Sequence, residues 1–388
     1  MLYFDNAATT KIDEEVLRCM CEVLREHYGN ASSRHGPGRS SKEIINRARS
    51  ELKNYFALPE AKIIFAASAT EANNMLLHSV RQNYLRGKKD PNVVTTKIEH
   101  PSVYEAVRHW FGDKSAKIRY IQTDAKGNID VAHYQSLIDE NTVLVSINHV
   151  NNELGTKNDI FTLARLAKEA GGEVIFHSDL VQGAGKYAYD LKNTAIDAVT
   201  LSAHKFHGPK GIGALIAKDN LRLCPLYYGG EQEDGLRPGT ENVAAIEGLR
   251  AALATAKSTI GNHESIWQMN RLLVAKLTDE VPNICFHTPS EEEKASPYIL
   301  NLAIDGCKGE VLSRMLDEEG AYVSTSSACS SKKKISRVLT EAGIDNQEAQ
   351  NTLRISLSRM NTAEECERLA EVLIKNVRRL RKILKYKE

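Results

Sequence analysis

Apolar residues along the chain gather in short, β-rich runs separated by stretches with a helical repeat. The runs are KIIFAAS (62–68), NVVTTKIEH (92–100), KIRYIQTD (117–124), TVLVSINHV (142–150), EVIFHSD (173–179) and IDAVTLSAH (196–204). Helical patterns start after them, for example at Thr70 and at Pro101. Strands alternating with helices predict a mainly parallel sheet covered on both faces. GIGALIAKD (211–219) follows the last run after a short Gly-Pro turn and is predicted to return antiparallel. This α/β block spans residues 15–255.

Beyond it the pattern changes. A long helical repeat (262–280) precedes two β-like runs, YILNLAI (298–304) and AYVSTS (321–326), around a short helix. LRISLSR (353–359) and a basic helical tail (362–387) close the chain. This reads as a smaller α+β domain, residues 256–388, joined by residues 1–14. The tail RRLRKILKYK (378–387) is read as a solvated helix face rather than a nucleic-acid patch.

Composition adds mostly exclusions. Of 388 residues, 42% are hydrophobic and 26% charged, which is ordinary for a globular protein. A net charge of +1 gives no electrostatic case for nucleic acid or a membrane surface. No apolar run reaches the roughly 18 residues of a membrane span, and MLYFDNAATT lacks the basic and apolar regions of a signal peptide. The expected location is the cytoplasm. Seven cysteines, odd in number and scattered without CxxC, make a disulfide framework or a zinc site unexpected. Cys19 and Cys366 lie in helical patterns and Cys285 in an apolar run, where inert thiols are expected. Cys329 differs. It sits in STSSACSSKKK (324–334), among small hydroxyl residues and before Lys332, Lys333 and Lys334. Nothing there can pack a core, and nearby positive charge favours a thiolate.

Four stretches carry candidate chemistry. In LSAHKFHGPKGIG (201–213), Lys205 stands at a strand end, where ligands bind in open α/β folds. It could be a solvated lysine or one that forms a Schiff base with an aldehyde cofactor. In HSDLVQGAGK (177–186), Asp179 ends a β-run with Gln182 three residues on. That carboxylate is a loop residue or the partner of a pyridinium nitrogen. In SATEANN (68–74), small and hydroxyl residues open a helix, as a plain N-cap or as a phosphate site. In IEH (98–100), His100 is a structural imidazole or one that stacks on a flat cofactor.

These stretches occur in order with YFDNAATT (3–10), YGNASSRHGPGR (28–39), IEHPSV (98–103), VNNELGT (150–156), GGEQEDGLRPGTEN (229–242), SSACSS (326–331) and LRISLSR. Over almost its whole length the chain resembles the cysteine desulfurases of the NifS/IscS type, which are pyridoxal 5'-phosphate (PLP) enzymes of the aspartate aminotransferase fold. The resemblance implies the PLP-dependent transferase fold type I, a large domain with a mainly parallel seven-stranded sheet plus a smaller α+β domain. It implies that Lys205 bonds the cofactor and that His100 stacks on the ring and serves as an acid–base group at the substrate thiol. Asp179 would pair with the ring nitrogen and Gln182 contact the ring hydroxyl. Thr70, Ser202, His204 and the Ala69 backbone would hold the phosphate. Thr240 would reach the phosphate of a second subunit, which makes the protein a homodimer. Asn151 and Arg354 would receive the carboxylate of L-cysteine, and Cys329 would take its sulfur as a persulfide. The persulfide would pass to a sulfur-acceptor protein such as an iron–sulfur scaffold. The chain departs from the family at Ser68, usually glycine, at His207, commonly tyrosine, and after Cys329, where SSKKKISRVL lacks the usual Glu-Pro. Selenocysteine lyase activity and a non-catalytic scaffold are the rival readings, and the second gives no role to Lys205 and Cys329.

Overall fold

Each β-run of the first two thirds of the chain forms a five-residue strand in a computed structural model that describes residues 1–325 and 335–386. In chain order the elements are β1 (Leu2–Tyr3), α1 (Glu14–Glu26), α2 (Gly36–Tyr55), β2 (Lys62–Ala66), α3 (Ala69–Tyr84), β3 (Asn92–Thr96), α4 (Pro101–Phe111), β4 (Lys117–Ile121), α5 (Val131–Ser136), β5 (Thr142–Ser146), α6 (Ile160–Gly171), β6 (Ile175–Asp179), β7 (Ala198–Ser202) and β8 (Gly213–Ala217). There follow α7 (Val243–Ala256), α8 (Glu264–Glu280), β9 (Ile284–Phe286), β10 (Ile299–Ile304), α9 (Gly309–Glu318), β11 (Ala321–Tyr322), α10 (Arg337–Glu341), α11 (Asn346–Gln350), β12 (Thr352–Ser356) and α12 (Ala363–Leu384).

Seven strands pair in the order β2-β8-β7-β6-β5-β3-β4. The pairs among β3 to β7 are parallel, and β8 runs antiparallel to both β7 and β2. Strands β3, β5, β6, β7 and β8 are buried throughout, which explains their unbroken apolar runs. Neighbouring residues still face opposite layers. Val145, Phe176 and Val199 join the core beneath α2, α6 and α7, whereas Leu144, Ile175 and Ala198 join the core beneath α3 and α4.

A second core lies around the three-stranded sheet β12-β10-β9 and helices α8, α9 and α12. The chain's start belongs to it: β1 pairs with β11, and Leu2 and Phe4 are buried there. Helix α12 opens with a capping box between Thr362 and Glu365 and buries Leu369, Leu373 and Leu380. Part of its basic face is used internally. Arg381 is buried and donates to the carbonyls of Pro282 and Asp305, and Lys375 pairs with Glu319. No helix among the described residues is long and apolar enough to cross a membrane.

Candidate active site

The C-terminal ends of β2, β3, β5, β6 and β7 all open toward one cavity of about 330 Å³. Its wall includes Ala69, Thr70, His100, Asp179, Gln182, Ser202, His204, Lys205 and Arg354. Nine of the twelve residues singled out from the sequence thus meet there, although they come from five separate segments. The parallel topology does this, because it puts every strand-to-helix loop on the same edge.

One end of the cavity is built for an anion. Ser68 has extended backbone and caps α3, its Oγ accepting from the Glu71 amide at 3.2 Å. The helix therefore starts at Ala69 and Thr70, whose amides belong to the first turn, where donors lack intrahelical partners. Gly213 lets β8 pass under this turn, since a Cβ there would stand 2.8 Å from the Ser68 carbonyl carbon. Ser202 and His204 also line the cavity. Burial, together with Lys205 and Lys210, pushes the His204 imidazole down to about 4, so the ring is neutral at pH 7.

Asp179 is held by the Val181 amide at 2.9 Å and by Asn73 Nδ2 at 3.0 Å. Asn73 in turn accepts from Thr200 Oγ1 at 2.7 Å and donates to Ser102 Oγ at 3.0 Å. Ser102 Oγ lies 2.8 Å from His100 Nδ1. A buried polar chain thus links the carboxylate to the imidazole and fixes both rotamers. Burial, with Lys205 and Arg337, holds His100 below the ordinary histidine range, partly countered by Asp179. Gln182 donates to the Ala7 carbonyl at 2.9 Å and accepts from the buried Lys186 at 3.3 Å.

Lys205 Nζ donates to the carbonyls of Ala7 and Ala8, both at 2.7 Å. Burial and the Arg354 cation lower its pKa to about 8, against the opposing pull of Asp5 and Asp179. About a tenth of such an amine is neutral at pH 7, far more than for a solvated lysine. PLP uptake by the apoprotein is therefore expected to accelerate with pH, with its half-rise near pH 8. Stopped-flow absorbance after mixing with PLP measures this, and a half-rise in the ordinary lysine range would contradict it.

Arg354 donates to Asp5 Oδ1 at 2.8 Å and to the Asn152 carbonyl at 2.9 Å. Its Nε is buried with no partner among the described residues, and the side chain borders the cavity. A guanidinium oriented by a carboxylate and left with an unused donor suits a ligand carboxylate.

Two expected positions are not in the cavity wall, and a third is not among the described residues. Asn151 does not reach the cavity. Its Nδ2 donates to the Ile98 carbonyl at 2.9 Å and its Oδ1 accepts from the Glu153 and Leu154 amides, also at 2.9 Å. The Ile98 carbonyl and the VNNELGT turn thereby hold both ends of the Asn151 amide, and Asn152 borders the cavity instead. Asn151→Ala is expected to destabilise the fold by about 3 kcal/mol, because buried groups lose their partners. Asn152→Ala should raise KM for the amino acid with little change in Tm. Melting curves and initial rates on both variants check this; the reverse pattern would restore Asn151. Thr240 is exposed, on the segment between β8 and α7, and is not in the wall of this chain's own cavity. Cys329 lies outside the described residues. The residues on either side of that stretch are tied to the site: Ser324 pairs with Arg354, Ser336 Oγ donates to Glu153 at 2.6 Å, and Arg337 donates to the Glu99 carbonyl at 2.5 Å.

Sequence reasoning also missed Asn73, Ser102 and Asp5. A polar residue at an otherwise apolar helix position was the available signal for Asn73. Nothing local marked the other two. Two of the departures from the family pattern are accommodated: Ser68 is an N-cap, and His207, at φ 68°, is held by Thr10 Oγ1 and the Lys11 carbonyl; the third begins outside the described residues.

The site fits PLP in its donor set, with an anion-binding helix end, a held carboxylate, a ring facing the cavity and a lysine of lowered pKa. The description aminotransferase class-V matches residues 2–369. A cysteine desulfurase IscS from Methanosarcina thermophila is 34% identical over 98% of this chain and 93% of its own. A solved structure described as a NifS-like protein superposes with a TM-score of 0.89 at 33% identity, covering 97% of this chain and 99% of that one. A structure of SspA in complex with cysteine gives 0.79 at 30% identity, covering 92% and 99%. With the PLP-type cavity in place and likeness extending over nearly the full length, the chain belongs to the class-V aminotransferase family, among its NifS/IscS-type cysteine desulfurases.

Proposed function

We propose that this chain removes sulfur from L-cysteine, releasing L-alanine and leaving a persulfide on Cys329 for an acceptor protein. The observation that carries the reading is the joint placement of Lys205, Asp179 and Arg354 on one cavity, with the segments on either side of Cys329 fastened to its rim.

Bound PLP supplies an electron sink for the substrate's α-carbon. The protein's own groups do the rest. Arg354, braced by Asp5, receives the carboxylate and sets the substrate's direction. Lys205 Nζ, lowered toward neutrality, takes and returns the α-proton. His100 Nε2, on the nitrogen not held by Ser102, exchanges a proton with the substrate thiol. The Cys329 thiolate attacks the substrate sulfur. A sulfur–sulfur bond forms, the carbon–sulfur bond breaks, and its electron pair stays with the substrate carbon, which is reprotonated. Cysteine and the Cys329 thiol thus become alanine and a persulfide, with no outside oxidant.

The same reading makes Thr240 a contributor to the neighbouring subunit's site, so the working unit is a homodimer. Its exposure, on the same β8-to-α7 segment as the 90%-exposed Tyr228, supports this. Delivery of the persulfide to an iron–sulfur scaffold is the matching downstream role, in line with the IscS naming of the relatives. The test is to incubate the PLP-loaded protein with L-cysteine and count alanine against persulfide. One alanine per persulfide in the first turnover, from a dimer by light scattering, is expected. Alanine without persulfide would sink the reading.

A further inference from the structure

We propose that Cys285, His287 and Glu348 form a site for a divalent transition-metal ion, zinc by the chemistry of its donors, on the edge of the small three-stranded sheet. Cys285 and His287 are two residues apart on extended chain at the edge strand β9, and Glu348 comes from α11, 61 residues after His287. A sulfur, a ring nitrogen and a carboxylate oxygen from the three all lie within 4.8 Å of one another. That mixed donor set is one that zinc takes in four-coordinate sites, with water in the fourth place.

The histidine gives the argument its force. His287 is buried, and its Nδ1 lies 2.7 Å from Asn301 Oδ1. An amide oxygen only accepts, so the ring proton sits on Nδ1 and the lone pair on Nε2. Nε2 then stands 3.0 Å from Glu348 Oε1. A lone pair facing a carboxylate at that distance is repulsive unless a positive centre serves both. A histidine whose far nitrogen is fixed by a side-chain acceptor is also the arrangement metal-binding imidazoles adopt. A cation among these donors turns mutual opposition into attraction and takes up the thiolate.

There is room for an ion to enter. A cavity of about 370 Å³ opens beside Cys285 and Glu348, walled also by Asn283, Asp305, Asp345 and Asn351. The scattered cysteines hid the site, because its ligands come from two distant segments rather than from one CxxC. An ion here would brace α11, which leads directly into β12 and hence to Arg354. The rival is an extra proton shared by His287 and Glu348, which needs no metal.

The test uses the PLP-loaded Cys329→Ser protein, so that the other candidate thiol takes no part. After chelator treatment, zinc alone is added and the bound metal is counted by equilibrium dialysis, with Tm read in parallel. One ion per chain at micromolar free zinc and a raised Tm are expected. Cys285→Ser, His287→Gln and Glu348→Gln should each weaken binding more than about tenfold and remove the Tm rise, with PLP content intact. Glu348 lies partly exposed on a short helix, so its variant folds even if the buried His287 change does not. Binding that is equal in the parent and in Glu348→Gln and Cys285→Ser would overturn the site. So would a parent that retains no zinc.

Discussion

Lys205→Ala is expected to lower alanine formation from L-cysteine by about 10⁴-fold, the upper end of what a positioned acid–base group contributes. The PLP absorption band that depends on a bond to the lysine should vanish with it. The reason lies in the surroundings of Nζ. It is held by the Ala7 and Ala8 carbonyls, among Asp5, Asp179 and Arg354, with a pKa lowered to about 8. No other lysine among the described residues borders the cavity. Lys186 is close in character, lowered to about 7, but it is buried behind Gln182 and bonded to it. Removing Lys205 takes away a cation that helps depress Lys186, so Lys186 becomes more protonated and less able to substitute. Lys205→Arg separates chemistry from support. The guanidinium keeps a cation donating to the two carbonyls, so Tm should stay near that of the parent while turnover is still lost. Activity in either variant above about one hundredth of the parent would remove Lys205 from its role.

Cys329→Ser is expected to keep PLP and bind L-cysteine, yet lose persulfide formation by roughly 10³-fold or more. The other thiols make the case by their positions. No described cysteine borders the cavity. Cys307 and Cys366 are buried in the small-sheet core, and burial raises both thiols, Cys366 to about 12. Cys285 is exposed rather than packed in a core, but burial of its thiol and Glu348 push it to about 11, and it belongs to the outer edge of that sheet. A thiol that stays protonated at neutral pH is a poor nucleophile. Tryptic mapping of the persulfide after one turnover checks this, and a persulfide on Cys307 would overturn it.

How far the sequence reached can be seen in particular residues. The five-residue strands were legible because a parallel sheet buried on both faces demands unbroken apolar runs, and TVLVS and AVTLS are such runs. The antiparallel return of β8 was legible from its short Gly-Pro connection. Lys205, Asp179 and Thr70 could be picked out because each ends a strand or opens the helix after one, and that position implies the ligand edge. Short edge elements were not legible. Strand β9 has three residues and α11 has five, too few for a period to register, and both depend on neighbours for their form.

What the chain determined by itself was the alternation of strand and helix, the set of strand-end residues and the family pattern they compose. These rest on local periodicity and on residue types, which need no third dimension. What only the tertiary structure decided was which of two adjacent asparagines borders the cavity, since the Ile98 carbonyl and the turn's own amides hold Asn151 away from it. It also decided that Asp5, at the start of the chain, orients Arg354 near its end, and that Asn73 ties Asp179 to His100. Those contacts join segments far apart in sequence, and their energetics come from shared burial that no local pattern encodes.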